Sequence, residues 1–122
     1  LGETPDGLQC GAVIPAGCGL VDGGSVPAAV GLEAAAQAAA MWEAMARWRG
    51  GAAAAPRVGY LVALRDVEFF AARIPAGSPL PVSVTLEAAG PPLAHYRAAL
   101  SRDGNALLRG TIVTYLKTGG AQ

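Results

Sequence analysis

Glu33 and Gln37 stand four residues apart in a run that is otherwise almost all alanine, from Val26-Pro27-Ala28 to Ala38-Ala39-Ala40. Residues i and i+4 share a helix face, so carboxylate and amide stack one above the other. A carboxyl group can give up a proton as an acid, take one as a base, or attack as a nucleophile. Stripping water from it is costly unless it is paired or employed. A helix lined with alanine can be approached closely from every side, which suits burial under a strongly curved sheet. The spacing therefore predicts a working carboxyl at Glu33, in an apolar setting that favours its acid form. The competing reading is a solvent-facing Glu on an ordinary alanine-rich helix.

Other side chains with chemical potential are few. The one histidine, His95, alternates with Tyr96 beside Arg97, where an exposed or hydrogen-bonded strand histidine is the default expectation. Cys10 and Cys18 have no CxxC spacing and no histidine nearby. They read as two reduced thiols, with no metal centre or cofactor expected.

Positioning Glu33 requires a helix and a sheet to hold it. Gln9 to Ile14 is a short apolar run closed by Pro15 and Gly17, and reads as a first strand. Gly17 to Ser25 is a glycine-rich loop with a turn signal at Asp22-Gly23-Gly24. Pro27 fits the first turn of a helix, where its missing N–H costs nothing, and the helix runs to about Trp48 before Gly50-Gly51. Met41, Met45 and Trp48 form another stripe, suited to core or subunit packing. Gly50 to Pro56 reads as a connector inside one domain.

The second half is patterned as strands. Val58 to Phe70 is long enough to bend, and Pro81 to Glu87 alternates Val82, Val84 and Leu86 with Ser83, Thr85 and Glu87. Leu93 to Ser101 and Ala106 to Leu116 flank Asp103-Gly104, a strong hairpin signal. Strand, long helix and about four antiparallel strands make an α+β class: a hotdog fold, one central helix wrapped by a curved sheet.

Composition narrows the function. The 122 residues are 52% apolar and 15% charged with zero net charge, as expected of one compact domain able to bury a core. Without a run of Lys or Arg, neither nucleic acid nor an anionic membrane is an expected partner. Glu33, Glu43 and Arg47 interrupt the only long apolar segment, and no secretion signal opens the chain, so a cytoplasmic location is expected. The chain begins at Leu1, which suggests a processed, trimmed or incomplete copy of a longer product.

Val26-Pro27-Ala28 through Glu33-Ala34-Ala35-Ala36-Gln37-Ala38 resembles the start of the central helix in β-hydroxyacyl-acyl-carrier-protein dehydratases. There a Met-Pro-Gly turn leads to a catalytic Glu and then to Ala-Gln. Gly59-Tyr60-Leu61-Val62-Ala63-Leu64-Arg65-Asp66-Val67-Glu68-Phe69 resembles the family's next strand, where a glycine-containing segment lines the acyl channel, and Ile74 to Leu80 resembles its Val-x-Pro-Gly-Asp-x-Leu turn. The similarity runs from about Val13 to Leu116, and the short dehydratase-like members of aryl-polyene-type lipid pathways are the most similar. The resemblance implies Glu33 as the catalytic acid, with Ala28, Gln37, Gly59, Tyr60 and Leu61 binding the substrate. That substrate would be an acyl thioester on acyl carrier protein or coenzyme A, with the Ala28 N–H polarising the thioester carbonyl at the helix N-terminus.

One departure matters. In the family a histidine fourteen residues before the Glu removes the proton at C2, and here that count lands on Gly19. Three readings remain: a dehydratase whose histidine lies in a missing N-terminal segment or on a partner; a hotdog thioesterase working with one carboxylate; or a non-catalytic acyl-binding partner of an active hotdog enzyme. Hotdog sheets pair edge to edge with sites between protomers. The resemblance therefore implies a dimer or larger symmetric oligomer, of identical or different hotdog chains.

Overall fold

The computed structural model describes residues 2–4, 6–49, 57–90 and 92–118, with backbone alone at 3–4, 47–49, 57–62 and 116–118. In chain order the elements are β1 (Gly2–Thr4), β2 (Gly7–Ala12), β3 (Ser25–Pro27), α1 (Val30–Arg49), β4 (Arg57–Phe69), β5 (Arg73–Pro75), β6 (Leu80–Gly90), β7 (Leu93–Arg102) and β8 (Asn105–Thr118). Six strands form one antiparallel sheet in the order β1-β2-β6-β7-β8-β4, and β3 pairs with β5 in a separate ribbon. The helix α1 packs on β6, β2, β7 and β3, so the expected helix wrapped by a curved sheet is what the chain adopts.

Strand alternation builds the core. Val82, Val84, Tyr96, Ala98, Leu100, Leu108 and Ile112 are buried, while their neighbours Thr85, Arg97 and Arg109 are exposed. Asp103 and Gly104 both take positive φ, 52° and 81°, and close a two-residue turn between Arg102 and Asn105, as their sequence predicts. Bulges break the register of β4 between Leu61 and Ala63 and between Arg65 and Glu68, and of β6 between Leu86 and Ala88. Each adds local twist and bend to a strand that must curve around a helix.

On α1, Gly31, Ala35, Ala38, Ala39 and Trp42 face inward, while Glu33, Gln37, Ala40, Met41 and Ala44 are exposed. Gly31 sets the closeness of approach. A Cβ there would lie 2.7 Å from Leu108 Cδ2 and 2.8 Å from Leu100 Cδ2. Both leucines are fully buried and have no room to retreat. A helical Gly→Ala change ordinarily gains about 1 kcal/mol. At this position overpacking of about 1–3 kcal/mol outweighs the gain. Gly31→Ala is therefore expected to lower the melting temperature by a few degrees, which thermal denaturation would read.

Several sequence expectations shift. The first long strand starts at Gly7 rather than Gln9 and ends at Ala12. Pro27 lies in β3, paired with Arg73, and α1 begins three residues later at Val30. Its fixed φ and missing N–H are tolerated in a short ribbon edge as well as in a helix turn. Met41 is 48% exposed and so is not core, whereas Met45 packs partly against the core. The Trp48 side chain and the connector Gly50 to Pro56 lie outside what the structure describes. No helix among the described residues is long and apolar enough to cross a membrane.

Candidate active site

The start of α1 is fixed by the β3–β5 ribbon. Val26 and Ile74 face each other across it, both fully buried. The ladder then continues one step, with the Ala28 N–H donating to the Ala72 carbonyl at 2.9 Å. Ala28 is itself buried. The amide expected to hold a thioester carbonyl is thus already committed, because Ala28 extends the ribbon before the chain turns into the helix. Gly31 N–H donates to Ala28 O and Leu32 N–H to Ala29 O, closing a tight first turn. The amides of Ala29 and Val30 take no backbone acceptor among the described residues. They are the donors left at the positive end of the helix.

Glu33 lies in that first turn, where a negative charge complements the helix dipole. Gln37 Nε2 donates to Glu33 Oε2 at 3.3 Å, so the two stack as their spacing predicts. Both are exposed in the single chain, on the side of α1 turned away from its buried stripe. The expectation that Glu33 lies buried among alanines is corrected on this point. Trp42 is the large residue that settles which face turns inward, and Glu33 falls on the other.

Gly59, Tyr60 and Leu61 lie in β4, with Gly59 opposite Leu116, Tyr60 opposite Tyr115 and Leu61 opposite Thr114. Their side chains are outside the described residues. Strand order puts β4 at the edge of the sheet beyond β8. His95 alternates with Tyr96, which faces α1, so His95 occupies the outer face of the sheet. Gly19, which the family count aligns with the missing histidine, is in an exposed turn with open space where a side chain would begin. Among the described residues no group of three His, Cys, Asp or Glu stands close enough to hold a metal ion.

Two clusters were not legible in sequence. Arg73, in β5, donates from Nε to Ser25 Oγ at 2.7 Å and from Nη2 to the Ser25 carbonyl at 2.9 Å and the Asp22 carbonyl at 3.5 Å. With Ala76 N–H on Gly24 O and Gly77 N–H on Ile14 O, the 72–77 segment splints the loop that leads into α1. Residues 48 apart in sequence meet here, and no local pattern announces the pairing.

The second cluster lies further along the helix. The buried Tyr96 hydroxyl donates to Glu43 Oε2 at 2.6 Å, and its ring meets Trp42 edge-on at 6.0 Å. Among the described residues Trp42 Nε1 is a buried side-chain N–H without an acceptor. Burial, then the hydrogen bond to Glu43 and its charge, push the Tyr96 phenol well above its usual range. The raised value stabilises the fold below the phenol's ordinary value of about 10, and that contribution is lost as pH rises beyond it. Tyr96→Phe is expected to cost about 1–2 kcal/mol at neutral pH, read by urea denaturation. The difference from wild type should shrink at alkaline pH.

The sequence matches the ApeP-like family, described as ApeP dehydratase, over residues 3–121. No curated protein matches it significantly. Among solved structures, the fold is similar to that of the dehydratase heterocomplex ApeI:P from Xenorhabdus doucetiae, with a TM-score of 0.85 and 20% identity. That match covers 98% of this chain and 80% of the other. It is also similar to the F36A mutant of the fluoroacetyl-CoA-specific thioesterase FlK, with a TM-score of 0.64 and 13% identity over 96% of this chain and 90% of the other. At such identities the structures speak for the fold, and the family match for the lineage. The chain belongs to the ApeP-like dehydratase family and is a hotdog-fold, dehydratase-like protein.

Proposed function

We propose that this chain supplies the acid half of a 3-hydroxyacyl thioester dehydratase whose C2 base comes from a second hotdog protein. The observation that carries this reading is the pairing of Glu33 in the first turn of α1 with a lone histidine on the wrong face of the sheet. Dehydration needs two groups. A base takes the C2 proton, and an acid protonates the C3 hydroxyl so that water leaves and the C2–C3 double bond forms. Glu33 is suited to the second task and His95 cannot reach the first from the outer face.

The exposed stripe of α1, with Glu33 and Gln37 followed by Ala40, Met41 and Ala44, supports completion by another subunit. A covering subunit would exclude bulk water from the Glu33 carboxyl. The structural neighbour from Xenorhabdus doucetiae is a heterocomplex, and a heterodimer with a hotdog relative is the assembly proposed here. In the same reading Ala29 and Val30 replace Ala28 as amide donors to the thioester oxygen. Gln37 holds Glu33 in place, and Gly59, Tyr60 and Leu61 line the acyl channel.

The test is sedimentation and assay together. The chain mixed with a co-encoded hotdog relative is expected to sediment as a heterodimer and to hydrate or dehydrate a 3-hydroxyacyl thioester. A chain that remains monomeric in the mixture at micromolar concentration would contradict the proposal. Release of free thiol without enoyl product would favour the thioesterase reading instead.

A further inference from the structure

We propose that Arg73 is the anchor for the phosphate of the carrier arm, reading the phosphate that both acyl carrier protein and coenzyme A carry at the far end of pantetheine, as a diester in the first and within a diphosphate in the second. This rests on the acyl-thioester reading above and adds a recognition point to the same site.

The first ground is charge. Arg97 pairs with Glu87 at 2.6 Å, Arg109 with Glu68 at 2.9 Å and Arg102 with Asp103 at 3.8 Å. Arg73, like Arg65, has no carboxylate partner among the described residues, but of the two only Arg73 is held in place by hydrogen bonds. It turns to the Asp22 carbonyl, and its other partners are the Ser25 hydroxyl and carbonyl. All three acceptors are neutral, so they hold the guanidinium in place without cancelling its charge.

Geometry is the second ground. Nε and Nη2 are spent on the loop, which leaves both N–H groups of Nη1 for another acceptor. A fork already immobilised by its other edge loses little freedom on binding an oxyanion, and guanidinium matches phosphate geometry.

Position is the third. Arg73 pairs with Pro27 across the ribbon, and its neighbour Ala72 accepts from Ala28. The charge therefore stands at the same end of α1 as the free amides of Ala29 and Val30. Ser25, which Arg73 grips, precedes Ala29 by four residues, at most about 13 Å of extended chain. An extended pantetheine arm spans such a gap between thioester and phosphate.

The decisive comparison uses the full chain in complex with its co-encoded hotdog relative and two ligands, octanoyl pantetheine phosphate and the same thioester without phosphate, titrated calorimetrically. Wild type is expected to bind the phosphorylated form about tenfold more tightly. Arg73→Gln should bind both forms alike, with the affinity of wild type for the phosphate-free one. Arg73→Lys, which keeps charge without the fork, should retain part of the preference.

Equal weakening of both ligands in Arg73→Gln would make Arg73 a structural clamp and overturn the proposal. So would a phosphate preference that survives the substitution, or its absence in wild type. Octanoyl-CoA and octanoyl-acyl carrier protein should lose affinity together in Arg73→Gln, since they share the phosphate on pantetheine. A loss confined to one carrier would overturn phosphate recognition. If the wild-type complex binds neither thioester, the acyl-thioester reading itself fails and this site with it.

Discussion

Glu33→Gln is expected to lower dehydration of a 3-hydroxyacyl thioester by the assembled complex about 10²-fold or more, the usual worth of a positioned acid. The amide is nearly isosteric and can still accept from Gln37, whose Nε2 already reaches Oε2 at 3.3 Å. What it lacks is a proton to give the departing hydroxyl. Stability should fall by no more than about 1 kcal/mol, because Glu33 is exposed and in no ion pair among the described residues, and the substitution removes only its charge from the helix N-terminus. The loss should fall on kcat and on kcat/KM together, the pattern of an interaction made in the transition state. A scaffold role predicts no such loss.

The second large effect is on folding. A Cβ at Gly7 would stand 2.0 Å from the Val84 carbonyl oxygen and 3.0 Å from Thr85 Cα. These are backbone atoms of the paired strand and cannot swing aside. Gly7→Ala must therefore lift the start of β2 off β6, where Leu8 pairs with Val84 and both are almost completely buried. Overpacking against a backbone, with loss of that core contact, is expected to cost about 3 kcal/mol or more. Urea denaturation would read it as a large drop in midpoint. Gly2→Ala is the control, since a Cβ there meets nothing within 4 Å.

Gly7 also shows where sequence reasoning runs short. The long strands were legible because Val82 to Glu87 alternates cleanly, and because Asp103-Gly104 can hardly be anything but a turn. The three-residue strands β1, β3 and β5 were not. None has a pattern of its own: β1 is defined by a short hairpin with β2, and β3 and β5 by each other across 46 to 50 residues, while Pro27 fits a helix start equally well. The existence of α1 was plain from its length and its alanines. Its orientation was hidden for the same reason, since a face made of alanine looks like every other face until Trp42 settles the matter.

The candidate site divides along similar lines. Glu33 and Gln37 follow from i, i+4 spacing, and their hydrogen bond is local. The commitment of the Ala28 amide to Ala72 depends on a ribbon whose strands lie 46 to 50 residues apart, as does the grip of Arg73 on Ser25. Helical spacing marks the carboxyl, and tertiary structure decides which amides and charges surround it.

The central claim is that the chain contributes the acid and another protein the base. The most direct measurement is the rate of enoyl thioester formation from a 3-hydroxyacyl thioester by the chain alone, by its co-encoded hotdog relative alone, and by the two mixed. The account predicts activity in the mixture, none in this chain alone, and loss from the mixture when Glu33→Gln replaces wild type. Full activity of the isolated 122-residue chain, whose single histidine faces away from α1, would contradict it.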